Sequence, residues 1–308
     1  MAFKIIQPHS RIGQVLDYYA KGIYPGVATG YSNIDEYYKP RIGNTTIITG
    51  YPSMGKTEFL LQMLCNTTSL HGWKHALYTP ETGTCDEIIL ELVHKFTGKT
   101  YRKNYANSIT ESELITAINM ITDHFYIIEP DDVSGLTVDE WYAAVKEIDN
   151  QTRIHTASID NWNDLVHDLN NFGGKISEYL KFQIPKFNRF CKTEMISGFI
   201  LAHPKSPDKM NGKILPAKPN DIEGGSLWWA KAQTIITIHR ELDEQNAPTE
   251  VIFHKVKPKI VGKRGVTELQ YHIADNCYSI DGTRETQPVS ILKTKEVHQV
   301  DNNFIAPF

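Results

Sequence analysis

The stretch TTIITGYPSMGKTEFLLQ, residues 45–62, decides the fold class of this chain. It fits the pattern G-x-x-x-x-G-K-[ST], with Gly50, Gly55, Lys56 and Thr57 at the fixed positions. The β-branched run before the loop is typical of a buried parallel strand, and the segment after it has the pattern of a helix. A strand, a glycine-containing loop and a helix in this order predict a phosphate-binding loop.

Such a loop binds a nucleoside triphosphate, ATP or another, together with Mg²⁺. Backbone N–H groups of the loop and of the helix N-terminus face the phosphates. Lys56 neutralises the β- and γ-oxygens, and the Thr57 hydroxyl is a ligand of Mg²⁺. We expect hydrolysis of the nucleotide, with contacts from the whole loop: Gly50, Tyr51, Pro52, Ser53, Met54, Gly55, Lys56, Thr57 and Glu58.

Strand-like apolar runs alternate with helical segments along most of the chain. This alternation predicts an α/β fold with a mainly parallel sheet covered by helices on both faces. The closing strands follow one another through short connections, which indicates an antiparallel C-terminal extension. The predicted strands are 45–50, 75–79, 124–129, 154–160, 197–203, 234–240, 250–256 and 267–273. The predicted helices are 56–72, 84–98, 110–121, which opens with a capping box, 137–148, and 173–195, with a kink or break near Pro185.

Three parts follow from this pattern. Residues 25–282 form one catalytic domain, and residues 283–308 lack clear periodicity and are predicted to be a tail. Residues 1–24 form an arm, which either packs on its own core or docks on a neighbouring subunit. Within the arm, residues 10–22 place apolar side chains at helical spacing: Ile12, Val15, Leu16 and Tyr19.

Composition excludes several classes of protein. The chain has 308 residues, 41% of them hydrophobic, and a formal net charge of −4, so any nucleic-acid site must be local. No apolar run reaches the roughly 18 residues that span a bilayer. The N-terminus lacks the apolar region of a signal peptide, which predicts the cytoplasm, or the host cytoplasm for a viral protein. The cysteines and histidines lack metal-ligand spacing, so we expect reduced cysteines and no structural zinc.

Three polar residues follow predicted strands. Asp160 ends the strand IHTASID and is a candidate Mg²⁺ ligand, since P-loop enzymes place an Asp there. Glu81 follows the second strand and can act as the general base that deprotonates the attacking water; the alternative is a solvated loop residue. His203 ends the strand SGFILAH and can sense the γ-phosphate, although a lone histidine is more often structural.

The loop after His203 is locally basic. It carries lysines against the single acidic residue Asp208: Lys205, Lys209, Lys213 and Lys218. Single-stranded nucleic acid is bound along its backbone by such a basic track. The sequence leaves two alternatives open, a DNA-binding loop and a solvated surface loop.

The order of these segments resembles a known family. The entry TGYSNIDEYYKPRIGNTTIITGYPSMGKT is similar to that of RecA-like cores. YTPE with Glu81, ASID with Asp160 and LAHP with His203 resemble superfamily-four ring helicases, namely DnaB, the phage primase-helicases and Twinkle. Residues 222–240 and 256–273 also match. The likeness covers about 25–280, and His203 stands where DnaB usually has Gln, which favours the Twinkle and phage subgroup.

The resemblance implies further roles. In the family, a Lys-x-Arg pair reaches into the ATP site of the neighbouring subunit, and the matching positions here are Lys257 and Lys259, with Arg264 as a nearby substitute. Lysine keeps the charge but lacks the planar fork of arginine. The resemblance also places nucleotide-base contacts at Arg240 and at Tyr271 or His272. It places the end of the second DNA-binding loop at Gly224, Gly225 and Ser226.

These observations together predict a ring-forming, ATP-dependent DNA helicase that translocates on single-stranded DNA. Replication of a phage or mobile element, assembly into a hexamer, and a separate primase or loader as partner are the associated expectations. A RecA- or RadA-like recombinase, or another non-unwinding RecA-type ATPase, is the first alternative. A P-loop protein that uses ATP as a switch or assembly signal is the second, since fold alone does not fix function.

Overall fold

The computed structural model describes residues 5–131, 135–207, 209–210, 213–242, 244 and 246–290. Asp208 of the predicted DNA-binding loop and the predicted tail beyond residue 290 lie outside the described residues.

Eleven strands are present in the described part of the chain, and nine of them form one central sheet. The strands are β1 (Thr45–Thr49), β2 (His75–Tyr78), β3 (Phe125–Ile127), β4 (Thr156–Ile159), β5 (Ser197–Ala202), β6 (Lys209–Met210), β7 (Lys213–Ile214), β8 (Thr234–His239), β9 (Thr249–Lys255), β10 (Gly265–His272) and β11 (Cys277–Ser279). The order in the sheet is β11-β10-β9-β8-β1-β5-β4-β2-β3, and β6 pairs with β7 in a separate hairpin.

The sheet has a parallel half and an antiparallel half. Strands β8, β1, β5, β4, β2 and β3 pair in parallel, whereas β9, β10 and β11 extend the sheet antiparallel from β8. The predicted architecture is therefore confirmed.

Eight α-helices are present among the described residues, and six of them lie between strands of the central sheet. They are α1 (Ile12–Lys21), α2 (Ser32–Asp35), α3 (Lys56–His71), α4 (Cys85–Thr97), α5 (Glu111–Thr122), α6 (Val138–Gln151), α7 (Ile176–Thr193) and α8 (Ser226–Lys231). Helices α4, α5 and α6 each begin with a capping box, in which the N-cap threonine bonds the third residue's N–H.

Helices cover both faces of the sheet because alternate residues of a strand point to opposite sides. On β1, Ile48 joins a core shared with α3, α4 and α5, whereas Ile47 joins a second core shared with α6, α7 and α8. Both side chains are almost completely buried. This explains why β1 reads as a continuous apolar run rather than an alternating one.

Some elements differ from the prediction. Helix α7 runs through Pro185 as one element from Ile176 to Thr193, so the break allowed by the sequence is not present. Strand β11 and the β6–β7 hairpin were not predicted, because strands of two or three residues are too short to show periodicity.

The described ends of the chain contrast with one another. Helix α1 buries none of its residues, and its apolar side chains are exposed, with Tyr19 at 88%. Residues 284–289 instead lie along the domain: Arg284 Nη2 donates to Lys95 O at 2.6 Å, and Val289 N donates to Phe96 O at 2.9 Å.

No helix among the described residues has both the length and the apolar character needed to cross a membrane. The four cysteines are free, and all except Cys85 are buried.

Candidate active site

The predicted site residues gather at the carboxyl ends of the parallel strands. Because these strands run in the same direction, residues that follow them meet at one edge of the sheet, which we call the catalytic edge. Five strands contribute to this edge: β1 leads to Gly50, β2 to Glu81, β4 to Asp160, β5 to His203 and β8 to Arg240.

The loop after β1 has the close contacts that glycine permits. Gly50 and Gly55 both have positive φ, at 149° and 91°. A Cβ on Gly50 would lie 2.3 Å from Ile238 O, and one on Gly55 would lie 2.4 Å from Tyr278 Oη. Helix α3 begins at Lys56, so its free N–H groups open toward the loop.

Lys56 lies at the floor of this loop. Its side chain is largely buried and its Nζ donates to Tyr51 O at 3.2 Å. Burial lowers the pKa of Lys56, although the carboxylates of Asp160 and Glu81 act in the opposite direction. A cation that lies between a loop carbonyl and two carboxylates is placed to bind phosphate oxygens.

A hydroxyl and a carboxylate meet next to the loop. Thr57 Oγ1 donates to Asp160 Oδ2 at 2.7 Å, and Asp160 is 3% exposed. Burial raises the pKa of Asp160 to about 7, against the opposing effect of the Thr57 hydrogen bond. A buried carboxylate that lacks a full countercharge forms, with the hydroxyl beside it, a suitable ligand pair for Mg²⁺. This ion uses few protein ligands and completes its coordination shell with water and phosphates.

Glu81 is held by two donors on the same oxygen. His203 Nε2 lies 3.0 Å from Glu81 Oε2, and Asn161 Nδ2 donates to that oxygen too. Burial by itself would raise the pKa of Glu81, but the hydrogen bonds from His203 and Asn161 outweigh it, and the pKa lies below its usual value. Glu81 is therefore ionised near neutral pH, as a general base must be.

A cavity of about 320 Å³ lies above the loop. Its lining residues are Pro52, Ser53, Gly55, Lys56, Thr57, Glu58, Glu81, Thr82, His203, Arg240, Tyr271 and Tyr278. Among the predicted loop contacts, Gly50, Tyr51 and Met54 do not line this cavity, and the side chains of Tyr51 and Met54 are buried against Ala217.

The far wall of the cavity is formed by β8, β10 and β11. Arg240 lies over the loop, with its Nη2 3.5 Å from Ser53 O. Tyr271 lines the cavity, whereas His272 does not and bonds Ser279 Oγ at 2.6 Å. The structure thus brings Arg240 and Tyr271 together, and leaves His272 apart.

The predicted DNA-binding residues occupy an exposed loop beside His203. The four lysines Lys205, Lys209, Lys213 and Lys218 are exposed, and two of them lie on the β6–β7 hairpin. Gly224 and Gly225 have positive φ, and a Cβ on Gly224 would lie 2.2 Å from Leu180 Cδ1.

Lys257, Lys259 and Arg264 lie away from this site. Strand β9 is antiparallel to β8, with Lys255 opposite Ile235, so β9 ends where the parallel strands begin. Asn44 Nδ2 donates to Lys257 O at 3.2 Å, directly before β1. Since the five residues of β1 span about 16 Å, these exposed cations lie at the end of the sheet that we call the opposite edge.

Comparison with known proteins identifies the fold. The ATPase domain of G40P superposes with a TM-score of 0.69 at 19% identity, covering 89% of this chain and 99% of that chain. A DnaB-like replicative helicase, solved with a view to its interactions with primase, superposes with a TM-score of 0.67 at 19% identity, covering 89% and 68%. The chain folds as a RecA-like ATPase domain of the DnaB type.

A curated relative agrees with this DnaB-type fold. The Twinkle homolog protein, chloroplastic/mitochondrial, of Arabidopsis thaliana is 28% identical over 262 residues. The match covers 82% of this chain and 36% of the relative, so the chain spans about a third of the length of that protein. No protein-family model matches the chain. The resemblance drawn from the sequence is confirmed.

Three residues in and around this site were not predicted from the sequence. Asn161 bonds Glu81, and Tyr278 donates from its Oη to Gly55 O at 3.3 Å. Lys95, fully buried, pairs with Glu58 and donates to Asn276 Oδ1 at 2.8 Å. Of these, only the position of Tyr278 could have been predicted. Asp275 and Asn276 separate two strand-like runs as the turn of a hairpin does, which would have indicated a strand at Tyr278.

Proposed function

We propose that this chain is the ATP-hydrolysing domain of a ring-forming DNA helicase that translocates on single-stranded DNA. The observation that carries the proposal is the division of the site. The catalytic edge holds Lys56, Thr57, Glu81 and Asp160 together, while the cations Lys257 and Lys259 lie at the opposite edge of the same chain. A second copy is needed to complete the site.

In the proposed reaction, the phosphates occupy the cavity above the loop and Lys56 Nζ neutralises their oxygens. Thr57 and Asp160 would hold Mg²⁺, which supplies charge stabilisation for the transferring phosphoryl group. Glu81 Oε1 accepts a proton from the attacking water, while Oε2 stays bonded to Asn161. Arg240 and Tyr271 contact the base from the far wall.

His203 connects this chemistry to the basic loop. It follows β5 directly, and the next residue, Pro204, pairs with Ile222 at the other end of the loop. Lys205 N also donates to Asp221 O at 2.8 Å. A shift of His203 between Glu81 and a γ-phosphate would therefore move both ends of the loop, and with them the lysines that would bind the DNA backbone.

The ring follows from a head-to-tail contact whose rotation closes. Lys257 and Lys259 of one copy would enter the catalytic edge of the next. Helix α1 would dock on a neighbouring copy, because within the described part of the chain its apolar side chains are exposed. Replication of a phage or mobile element, with a separate primase or loader, is the proposed setting.

The deciding experiment measures ATPase activity with and without single-stranded DNA, on protein whose oligomeric mass is determined in the same buffer. The proposal expects a ring mass, stimulation by DNA and unwinding of a forked duplex. Lys56→Ala and Glu81→Gln should both abolish the stimulated activity. Filaments without unwinding would establish the recombinase alternative, and ATP binding without any DNA stimulation would establish the switch.

The arm has its own test. Leu16→Asp should reduce the ring to smaller species by light scattering, because a charge would enter the docked face of α1. Gln14→Asp, on the other face of the same helix, should leave the mass unchanged. Equal masses for Leu16→Asp and wild type would show that α1 plays no part in assembly.

A further inference from the structure

Asn161 occupies an unusually constrained position for a polar side chain at the catalytic edge. It follows β4 and Asp160 directly and is 2% exposed. Its Oδ1 accepts the N–H of Asn163 at 2.8 Å, and its Nδ2 donates to Glu81 Oε2. These two contacts fix which end of the amide is the acceptor and which the donor.

Glu81 needs such an anchor. It lies on the loop after β2, and its side chain is 53% exposed, so the carboxylate has rotational freedom to lose. Both hydrogen bonds to it arrive at Oε2. Among the described residues none donates to Oε1, which leaves that oxygen open toward the cavity.

The two donors differ in what holds them. Asn161 is buried and tied to the turn that follows β4. His203 carries a half-buried ring with one nitrogen on Glu81, and its backbone continues into the basic loop through Pro204 and Ile222. One donor is buried and hydrogen-bonded within its own turn, and the other belongs to a segment that continues into the loop.

We propose that Asn161 is a positioning residue that aims the carboxylate of Glu81 at the attacking water. It keeps Oε2 in place when His203 changes partner, so that the general base survives the movement of the loop. The inference rests on the proposed role of Glu81 as that base, and Asn161 acts only through it.

Substitutions at two neighbouring asparagines separate this role from a structural one. Asn161→Asp keeps the acceptor for the Asn163 N–H but removes the donor and sets a carboxylate against Glu81. Asn161→Ala removes both contacts. Asn163→Ala is the matched control, since Asn163 is exposed and contributes its backbone N–H to this turn.

For both Asn161 variants we expect kcat for ATP to fall roughly 10- to 100-fold, the scale of a misplaced catalytic group. The KM for ATP and the binding of a non-hydrolysable ATP analogue should stay near wild type in both variants, measured below the thermal midpoint of each. The ratio of DNA-stimulated to basal activity should also be preserved, because His203 is intact, whereas His203→Ala should lower that ratio. Asn163→Ala should behave as wild type.

Different failures have different meanings. If Glu81→Gln keeps wild-type ATPase activity, the proposed function of Glu81 fails, and the role of Asn161 fails with it. If Glu81→Gln is inactive while Asn161→Asp retains full kcat, only the positioning role is overturned. If Asn161→Ala loses activity solely through a lower thermal midpoint while Asn161→Asp is normal, Asn161 is a structural residue of the turn.

Discussion

At the catalytic edge, four parallel strands deliver a lysine, a threonine, two carboxylates and a histidine into one small region, and hydrogen bonds connect most of them. At the opposite edge, Lys257 and Lys259 follow β9 as exposed residues, and no ion pair joins either of them to a carboxylate of the described residues, whereas Asp160 and Glu81 lie near Lys56. The first set is organised within one chain, whereas the second becomes meaningful only beside another copy. If ATP hydrolysis depends on both edges, its rate is controlled by the arrangement of neighbouring copies.

The largest effect expected concerns Lys259. Lys259→Ala should lower the DNA-stimulated kcat by roughly 1000-fold, the lower end of what a cation supplied in trans contributes to phosphoryl transfer. Binding of a non-hydrolysable ATP analogue should change little, because the loop residues that would hold the nucleotide belong to the other copy and are intact. Lys103→Ala, an exposed lysine between α4 and α5, is the control and should have no effect.

Mixing two inactive variants tests the comparison directly. In a ring of Glu81→Gln and Lys259→Ala copies in equal amounts, roughly one site in four combines an intact Glu81 with an intact Lys259 from its neighbour. Activity should return to about that fraction. If activity does not recover on mixing, Lys259 acts in its own chain or in no site at all. If activity recovers when Lys257→Ala replaces Lys259→Ala in the mixture, the role belongs to Lys257.

The second prediction concerns the wall of the cavity that β10 and β11 add to the catalytic edge. Lys95 lies below Tyr271, where it pairs with Glu58 of α3 and with Asn276 of the β10–β11 turn. Lys95→Ala should lower the free energy of unfolding by about 3 kcal/mol, because it leaves carboxylate and carbonyl groups without their cation. Urea denaturation measures this. Lys99→Ala is the control: its ion pair with Glu113 is partly exposed and should contribute under about 1 kcal/mol.

The third prediction concerns Asp160, whose ionisation should lower the stability of the fold, whereas the ionisation of a salt-bridged aspartate raises it. The pKa of Asp160, about 7 in the folded chain, lies above its ordinary value of 3.8. The folded state therefore holds the proton more tightly, and stability falls as pH rises between these values. Without Mg²⁺, Asp160→Asn should be more stable than wild type at pH 8, on the order of 2 kcal/mol. The difference should shrink as pH falls toward 5.

Thermal midpoints measured with a chelator present test this, with the exposed Asp123→Asn as the control. A lower midpoint for Asp160→Asn at pH 8 would mean that its neighbours already stabilise the charged carboxylate, and that the site does not require a cation. The expected gain would identify Asp160 as a group kept for its chemistry at the expense of stability.

Sequence reasoning located the catalytic edge because its residues follow strands, and strand ends are visible locally. Gly50, Glu81, Asp160 and His203 were each found from a short pattern. Asn161 was not, because its role depends on a contact with a residue 80 positions away. Its own neighbourhood, Asp-Asn-Trp, reads as an ordinary turn.

The residues that support the cavity wall could not be predicted from the sequence for a related reason. Lys95 is fully buried, although lysine on a helix is normally a solvated residue. Its partners Glu58 and Asn276 lie 37 and 181 positions away along the chain. Helical periodicity identified α4 but gave no sign that one of its cations is buried. At the opposite edge, the position of Lys257 follows from the antiparallel direction of β9, and that direction was predicted. The proposed role of Lys257 in a neighbouring site came only from the family resemblance.

The smallest effect expected concerns the basic loop, where the catalytic edge would meet DNA. Lys209 and Lys213 are exposed on facing strands of the β6–β7 hairpin. If each neutralises one phosphate, Lys209→Ala and Lys213→Ala should each reduce the slope of log K against log salt by about 0.7 for single-stranded DNA. Each should weaken binding several-fold, equally for different sequences. Lys213 lies 3.9 Å from Glu241, so its loss should be the smaller of the two. Fluorescence anisotropy over a salt series measures both slopes, and an unchanged slope for Lys209→Ala, as for Lys103→Ala, would leave the hairpin outside the DNA path.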